Sequence, residues 1–208
     1  MTITYAVTVC NELVEVQKLL SLLILSGREE DEIVVLFDKQ KGTAEVWSHL
    51  CELQKQGSIT AYAKSFKHHF ADWKNHLTSL CKGDYIFQID ADEFPHKSLL
   101  TALPAILESN PDNEVYLVPR VNTVEGLTEA HIAKWGWKVD NNKWINYPDY
   151  QWRIWKNKPE IKWVNKVHER LEGFKTYAPL PAQEELSLYH PKDIVRQEKQ
   201  NNYYDSLQ

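Results

Sequence analysis

The chain has 208 residues, of which 43% are hydrophobic and 25% charged, a balance typical of a folded globular protein and not of a disordered or fibrous one. Its length fits one full-sized domain. The formal net charge of -5 is not that of a nucleic-acid-binding protein, so we expect no nucleic-acid partner.

The first 90 residues alternate between the hydrophobic patterns of strands and helices. In chain order they predict a strand at 2–10, a helix at 12–26, a strand at 32–37, a helix at 44–56, a strand at 58–63, a helix at 68–81 and a strand at 85–89. Gly27 and Thr43 are suited to end the first helix and to cap the second. Because parallel strands need long, usually helical connections, this order predicts an α/β fold with a mostly parallel central sheet flanked by helices.

The second half of the chain has a less regular pattern. A helix at 98–108 and a strand at 114–119 are followed by a segment, 121–146, with few clear periods, which we expect to form long loops or irregular strands over the site. Beyond it the sequence predicts short strands at 151–155 and 161–167 and a polar helix or tail at 191–207.

The most informative segment is the acidic end of the fourth predicted strand, where Asp90 and Asp92 follow an apolar run. Ligands of open α/β sheets bind beyond the carboxyl ends of the strands. Acids at positions i and i+2 of an extended backbone share one side and repel each other unless a cation lies between them. Mg²⁺ or Mn²⁺ is the natural cation for such oxygens, and the alternative is a solvated acidic turn without a ligand.

This segment, Asp90-Ala91-Asp92-Glu93 after Gly83-Asp84 and an apolar strand, resembles the D-x-D signature of GT-A nucleotide-sugar glycosyltransferases. It is most similar to the family 2 group. Further matches follow in order along most of the chain: Asn11-Glu12, Asp38, Asn75, Arg153-Ile154-Trp155, Val167-His168-Glu169, His190 and Arg196-Gln197. The resemblance implies a single GT-A-like domain, 1–208, with a nucleotide-sugar-binding half at 1–93, an acceptor-binding half at 94–208 and an irregular C-terminal part.

The resemblance also implies the reaction and its cofactor. The expected activity is inverting transfer of a sugar from a nucleoside-diphosphate sugar, with UDP favoured, to a hydroxyl acceptor, most simply a glycan. Mn²⁺ or Mg²⁺ would be held by Asp92 and His190, and by Asp90 through water. Asp90 would also approach the ribose.

Other residues are expected around the nucleotide sugar because they match the family in position. Asp38 is expected at the base or ribose, and Arg153 is either a phosphate contact or an ion-pair partner. Lys74 stands where many relatives carry Arg, and is expected at a phosphate, at the base or in solvent. The remaining members of this predicted site are Asn11, Glu12, Asn75 and Ala91.

An inverting transfer needs a carboxylate that takes the proton of the attacking hydroxyl. Glu169 is the first candidate, because it follows a short predicted strand and matches the family's acidic position, and Asp149 is the reserve. His168 either orients this carboxylate or is a hydrogen-bonded core residue.

Tryptophan is concentrated between residues 135 and 163. Aromatic faces stack on sugars, but they also fill cores. We interpret Trp155 and Trp163 as core residues and Trp135 and Trp137 as loop or acceptor contacts.

Two other functions fit parts of the pattern. A sugar-phosphate nucleotidyltransferase would carry a Gly-rich, basic loop after the first strand, and Cys10-Asn11-Glu12-Leu13 has neither feature. A non-catalytic carbohydrate-binding module would use the tryptophans as its surface and the acids as a structural Ca²⁺ site.

Three cysteines, Cys10, Cys51 and Cys81, are widely spaced and odd in number, which favours free, buried thiols in a reducing compartment. The N-terminal residues lack the positive n-region of a signal peptide, and the longest apolar run, 19–25, is much shorter than the roughly 18 residues of a membrane span. We therefore expect a cytoplasmic protein without a transmembrane segment.

Overall fold

A seven-stranded sheet lies at the centre of the structure, a computed structural model that describes residues 1–205. Residues 206–208, the end of the predicted acceptor half and of the predicted C-terminal helix or tail, lie outside the described residues. The strands are β1 (Ile3–Val9), β2 (Glu32–Asp38), β3 (Thr60–Lys64), β4 (Tyr85–Asp90), β5 (Phe94–Pro95), β6 (Val115–Val118), β7 (Arg120–Glu125), β8 (Gln151–Lys156), β9 (Lys162–Val164), β10 (Arg170–Glu172), β11 (Tyr177–Pro179) and β12 (Leu188–Asp193). The helices are α1 (Leu13–Ser26), α2 (Ala44–Lys55), α3 (Phe70–Leu80), α4 (Lys97–Ser109), α5 (Glu129–Trp135) and α6 (Ile194–Asp205), and a 3₁₀ turn spans Glu184–Leu186.

The predicted mostly parallel sheet flanked by helices is confirmed. The strand order is β11-β6-β8-β4-β1-β2-β3, and β1 pairs in parallel with both β2 and β4. β8 is the exception, since it runs antiparallel to both of its neighbours, β4 and β6. This reversal brings the beginning of β8 next to the carboxyl end of β4.

The four N-terminal strands and their connecting helices form for the reasons that the sequence suggests. β1 and β4 are buried apolar runs at the centre of the sheet, and α1 buries Val16, Leu19, Leu20 and Leu23 against it. Thr43 caps α2, because its hydroxyl accepts a hydrogen bond from the backbone N–H of Val46 at 3.4 Å. Gly27 ends α1 as predicted.

A second, smaller sheet forms the irregular part of the fold. β12 pairs in parallel with β7 and antiparallel with β5. The predicted helix or tail from residue 191 is therefore wrong at its start, because 191–193 continue a strand that is stabilised by backbone pairing with β7. The helix follows as α6. The segment predicted to be irregular, 121–146, contributes β7, α5 and a loop with an isolated bridge between Val139 and Ile145.

All three cysteines are free, as the sequence predicts, but only Cys81 is buried, whereas Cys10 and Cys51 are partly exposed. No helix within residues 1–205 has the length and hydropathy that crossing a lipid bilayer requires.

Candidate functional site

A cleft of about 910 Å³ lies at the carboxyl ends of β1, β2 and β4. It is closed on the far side by the start of β8, by β12 and by α6. Every predicted site residue except Asn75 and Asp149 lines this cleft: Asn11, Glu12, Asp38, Lys74, Asp90, Ala91, Asp92, Arg153, Glu169 and His190. The structure thus brings together residues that are separated by up to 179 positions in the chain, from Asn11 to His190.

The cleft is positively charged although the protein is acidic. Among the described residues that line it, seven are Lys or Arg and five are Asp or Glu, whereas the whole chain has a formal net charge of -5. A concave site lined with surplus charge of one sign concentrates ligands of the opposite sign. The cleft is therefore suited to an anion.

Asp90, the last residue of β4, is held by a buried arginine. Its Oδ2 accepts a hydrogen bond from Arg153 Nη2 at 2.7 Å, and its Oδ1 accepts one from the Thr8 hydroxyl at 3.1 Å. Burial would raise the pKa of Asp90, but the positive charges of Arg153 and Lys74 outweigh it and lower the pKa. Of the two alternatives for Arg153, the structure shows the ion pair.

Glu93, the last residue of the acidic motif, is fully buried beneath the cleft. Its Oε1 accepts hydrogen bonds from Arg153 Nη2 at 2.6 Å and from Arg120 Nη1 at 2.9 Å. Arg120 in turn donates to Asp149 Oδ2 through Nη2 at 2.7 Å. Glu93 is thus a structural anion that positions two arginines.

Asp92 faces His190 and Arg196. The Asp92 Oδ2 lies 3.3 Å from His190 Nε2 and 3.0 Å from Arg196 Nη2. Burial alone would raise the pKa of Asp92, but the hydrogen bond and charge of His190, together with the charge of Arg196, lower it to about 2. Asp92 is therefore a carboxylate at neutral pH.

A hydrogen bond to Asn122 fixes the orientation of the His190 ring. Its Nδ1 lies 2.8 Å from Asn122 Oδ1, while Asn122 Nδ2 donates to Asp149 Oδ2 at 2.8 Å. Because the amide nitrogen of Asn122 is used as a donor, its oxygen accepts, so His190 carries a proton on Nδ1. In the neutral ring, Nε2 is then an acceptor whose lone pair points at the carboxylate of Asp92. Two acceptors 3.3 Å apart, His190 Nε2 and Asp92 Oδ2, repel each other unless a cation or a proton lies between them.

The donor set of Asp92 and His190 fits a divalent metal that is shared with a ligand. Within residues 1–205 there is no cluster of three or more His, Cys, Asp or Glu side chains that could hold a metal by itself. Mg²⁺ sites in phosphate-binding proteins commonly use one or two protein ligands and complete the shell with phosphate oxygens and water.

Glu169, the first candidate for the base, lies in the cleft next to Lys74. The two side chains form an ion pair, and the ammonium of Lys74 lies 4.3 Å from the ring centroid of Trp163. Both side chains are largely buried, with 16% and 10% of their surface exposed for Glu169 and Lys74. His168 also lines the cleft.

Two predicted site residues lie away from the cleft lining. The Asn75 side chain is hydrogen-bonded to the backbone of Trp163, from its Nδ2 to the carbonyl at 2.8 Å and from the backbone N–H to its Oδ1 at 2.9 Å. Asp149 accepts hydrogen bonds from Arg120, Asn122 and Gln151. Burial would raise the pKa of Asp149, but Arg120 and these hydrogen bonds lower it.

Glu12 and Asp38 order the loops that border the cleft. Glu12 Oε2 accepts from the backbone N–H groups of Cys10 at 2.9 Å and Asn11 at 3.0 Å. Asp38 Oδ1 accepts from the backbone N–H groups of Gln40 and Phe66, both at 3.0 Å. These carboxylates keep the strand ends in place.

Several cleft residues were not among those predicted from the sequence. They are mostly basic or aromatic: Lys41, Phe66, Phe70, Trp73, Arg120, Trp152, Lys192, Arg196 and Lys199. The position of Arg120 directly after the predicted strand at 114–119 is a signal that could have found it, and Arg196 matches the family tail.

Two of the tryptophans, Trp155 and Trp163, are core residues, as the sequence suggests. Trp155 and Trp163 are buried, and their rings meet edge to face at 5.6 Å. Trp135 packs against His131 and, at 4.6 Å, against Trp137, and neither tryptophan lines the cleft. Their predicted acceptor contacts stay a prediction.

The family model described as Glycosyl transferase family 2 matches residues 4–175. No significant match was found among curated proteins.

Structures of S. aureus TarS 1-349 are similar in fold. The TarS 1-349 structure has a TM-score of 0.62 and 13% identity, covering 92% of this chain and 60% of that one. The complex with UDP-GlcNAc gives the same score and identity and covers 92% of this chain and 59% of that one. The complex with UDP has a TM-score of 0.61 and 14% identity, covering 92% and 60%. The chain thus spans about 60% of the length of TarS 1-349, and at this identity the similarity shows a shared GT-A fold.

Proposed function

Because the chain belongs to glycosyl transferase family 2, we propose that it transfers a sugar, with inversion, from a nucleoside-diphosphate sugar to a hydroxyl group of a glycan. The acceptor oxygen attacks the anomeric carbon, the bond from that carbon to the diphosphate breaks, and the nucleoside diphosphate leaves with the bonding electrons. The proton of the acceptor passes to a carboxylate of the cleft.

The single observation that carries this proposal is the position of the Asp92–His190 pair in a positively charged cleft at the strand ends. An anion that brings its own oxygens is needed to complete a metal shell there, and a diphosphate supplies both the charge and the oxygens. Asp92 and His190 are the residues that would hold Mn²⁺ or Mg²⁺. When bound, the ion supplies positive charge next to the leaving diphosphate.

Donor binding is assigned to the residues at the strand ends. Asp38 and Asn11 border the proposed nucleoside pocket, and Asp90 faces the ribose while Arg153 neutralises its charge. UDP is the first nucleotide to test, because the TarS structures with this fold include complexes with UDP and UDP-GlcNAc. Our proposal keeps the division into a donor half, 1–93, and an acceptor half, 94–208.

Glu169 is proposed as the base that accepts the acceptor proton. It is a carboxyl group in the cleft, within reach of a bound acceptor, and its Oε1 pairs with the ammonium of Lys74. Asp149 is less suited, because its two oxygens already accept hydrogen bonds from three side chains and it does not line the cleft. A cytoplasmic location is proposed from the three free cysteines.

The test is a thermal-shift panel of UDP, GDP, dTDP and CMP, each with and without Mn²⁺, on the wild-type protein and on Asp92→Asn. A ligand that binds the native state raises its melting temperature. We expect one diphosphate to stabilise the wild type only with Mn²⁺, and Asp92→Asn to lose that shift. The matched control is Asp112→Asn, an exposed acid outside the cleft lining.

Stabilisation by free sugars without any nucleotide would contradict the proposal and favour the carbohydrate-binding module. An equal metal-dependent shift in Asp92→Asn and in the wild type would contradict the assignment of Asp92.

A further inference from the structure

Arg196, near the start of α6, lies among three carboxylates. Its Nη2 is 3.0 Å from Asp92 Oδ2 and 3.9 Å from Glu12 Oε1, and its Nη1 is 3.0 Å from Glu15 Oε1. One positive charge thus faces three negative ones. Arg196 connects the acidic motif at the end of β4 to the beginning of α1.

The backbone of Arg196 is anchored, while its side chain is partly exposed. Its N–H donates to Asp193 Oδ1 at 2.8 Å, which anchors the first turn of α6. The side chain keeps 32% of its surface exposed and lines the cleft. The guanidinium can therefore change partners within the cleft without any movement of the helix.

The Asp92 oxygen that contacts Arg196 is also the one that faces His190, the other residue that would hold the metal. A divalent cation and a guanidinium that bind the same carboxylate repel each other, so each weakens the binding of the other to Asp92. A diphosphate that enters with the metal offers the guanidinium a new acceptor, and the planar fork of arginine matches phosphate oxygens in a two-point contact.

We propose that Arg196 is a diphosphate-binding residue that occupies Asp92 in the ligand-free protein and moves to the donor diphosphate when the metal-bound donor enters. This inference rests on the proposed function, since it takes the ligand to be a metal-bound nucleoside diphosphate. Arg196 acts in two opposite ways: it competes with a metal that arrives alone and it helps to bind a metal that arrives with a diphosphate.

The two opposite effects of Arg196 on metal binding can be measured separately. Isothermal titration calorimetry of the whole chain measures binding of Mn²⁺ alone, of UDP with Mn²⁺ and of inorganic pyrophosphate with Mn²⁺. For Arg196→Gln we expect the affinity for Mn²⁺ alone to rise about threefold or more, because a competing charge is lost. We expect the affinities for UDP and pyrophosphate to fall about tenfold or more, because charge-assisted hydrogen bonds to phosphate are lost. Arg196→Lys, which keeps the charge, should lose less affinity for both diphosphates.

Two control variants distinguish diphosphate binding by Arg196 from two other effects. One is its structural ion pair with α1, and the other is the general positive charge of the cleft. Glu15→Gln removes the ion pair that joins Arg196 to α1, and should leave UDP affinity within about twofold of the wild type, because Asp92 and the diphosphate are untouched. Lys199→Gln removes one positive charge from the same helix and cleft, and should not increase the affinity for Mn²⁺ alone by as much as Arg196→Gln does. If Glu15→Gln or Lys199→Gln reproduced both changes, the proposed role would be overturned.

A wild-type protein that binds neither UDP nor pyrophosphate with Mn²⁺ would overturn the proposed function and this inference together. Wild-type binding with unchanged affinities in Arg196→Gln would overturn the inference alone.

Discussion

Replacement of Glu93 by Gln is expected to destabilise the fold strongly, although Glu93 belongs to a motif that resembles a catalytic signature. Its side chain is 0% exposed, and its Oε1 accepts from Arg153 and Arg120 at 2.6 and 2.9 Å. Its Oε2 accepts from the backbone N–H of Asp90 at 3.3 Å. Glutamine keeps the shape of this side chain and removes its charge.

The expected loss follows from these three contacts. A hydrogen bond to a charged group contributes about 1.5–3 kcal/mol, and a neutral acceptor retains roughly half of that, so the two arginine contacts lose about 2–3 kcal/mol together. The amide nitrogen of Gln, placed at the Oε2 position, would face the N–H of Asp90 and cost about 1 kcal/mol more. The free energy of unfolding should therefore fall by about 3 kcal/mol, and the melting temperature by roughly 6–12 °C.

Urea unfolding followed by circular dichroism measures this difference. Glu172→Gln is the matched control, because Glu172 also pairs with an arginine, Arg170, but the two side chains are 49% and 63% exposed. We expect the control to remain within about 0.5 kcal/mol of the wild type. A Glu93→Gln protein as stable as the control would refute the assignment of Glu93 as the anion that holds the two arginines.

Three further variants test other parts of the structure. Because the pKa of Asp92 is lowered from 3.8 to about 2 in the folded protein, its carboxylate stabilises the fold above pH 3.8 and this contribution is lost as the pH falls towards 2. The melting temperature of Asp92→Asn should accordingly fall less than that of the wild type over this interval, and parallel curves would contradict the shift. Glu169→Gln should reduce UDP release from the donor by about 10²–10⁴-fold while UDP affinity stays within about threefold, whereas a rate above a tenth of the wild type would exclude Glu169 as the base. Gln88 is 1% exposed, and neither atom of its amide has a hydrogen-bond partner among the described residues, so Gln88→Met should raise the melting temperature by about 2–8 °C. An unchanged or lower melting temperature would show that this amide is satisfied.

The parts of the fold that the sequence predicts are those that local pattern determines. Strands β1, β2, β3 and β4 and the helices between them have apolar periods, caps and breaking residues that require no distant partner. The antiparallel direction of β8 could not be predicted, because an apolar run with alternating side chains does not specify its neighbour. β12 was missed because it contains Pro191 and Lys192 and is held by pairing with β7, 68 positions earlier in the chain.

The same distinction applies to the site. Asp38, Asp90 and Asp92 could be predicted, because the rule that ligands bind beyond strand ends needs only the strand itself. Arg120 and Arg196 enter the cleft from β7 and α6, and only the folded chain shows that they reach Glu93 and Asp92.

These distant cations change what the acidic motif can do. Asp90 and Glu93 are neutralised by Arg153, a buried residue that cannot leave, whereas Asp92 is neutralised by Arg196, which is partly exposed and can. Within the acidic motif at 90–93, a divalent ion that enters the cleft therefore meets one acid, Asp92, from which the existing cation can be displaced. A carboxylate pair that looks symmetric in the sequence is thus asymmetric in the fold, with a permanent partner for Asp90 and an exchangeable one for Asp92. Binding of Mn²⁺ should consequently respond to Asp92→Asn far more than to Thr8→Val, which removes the other hydrogen bond to Asp90 and leaves Arg153 in place.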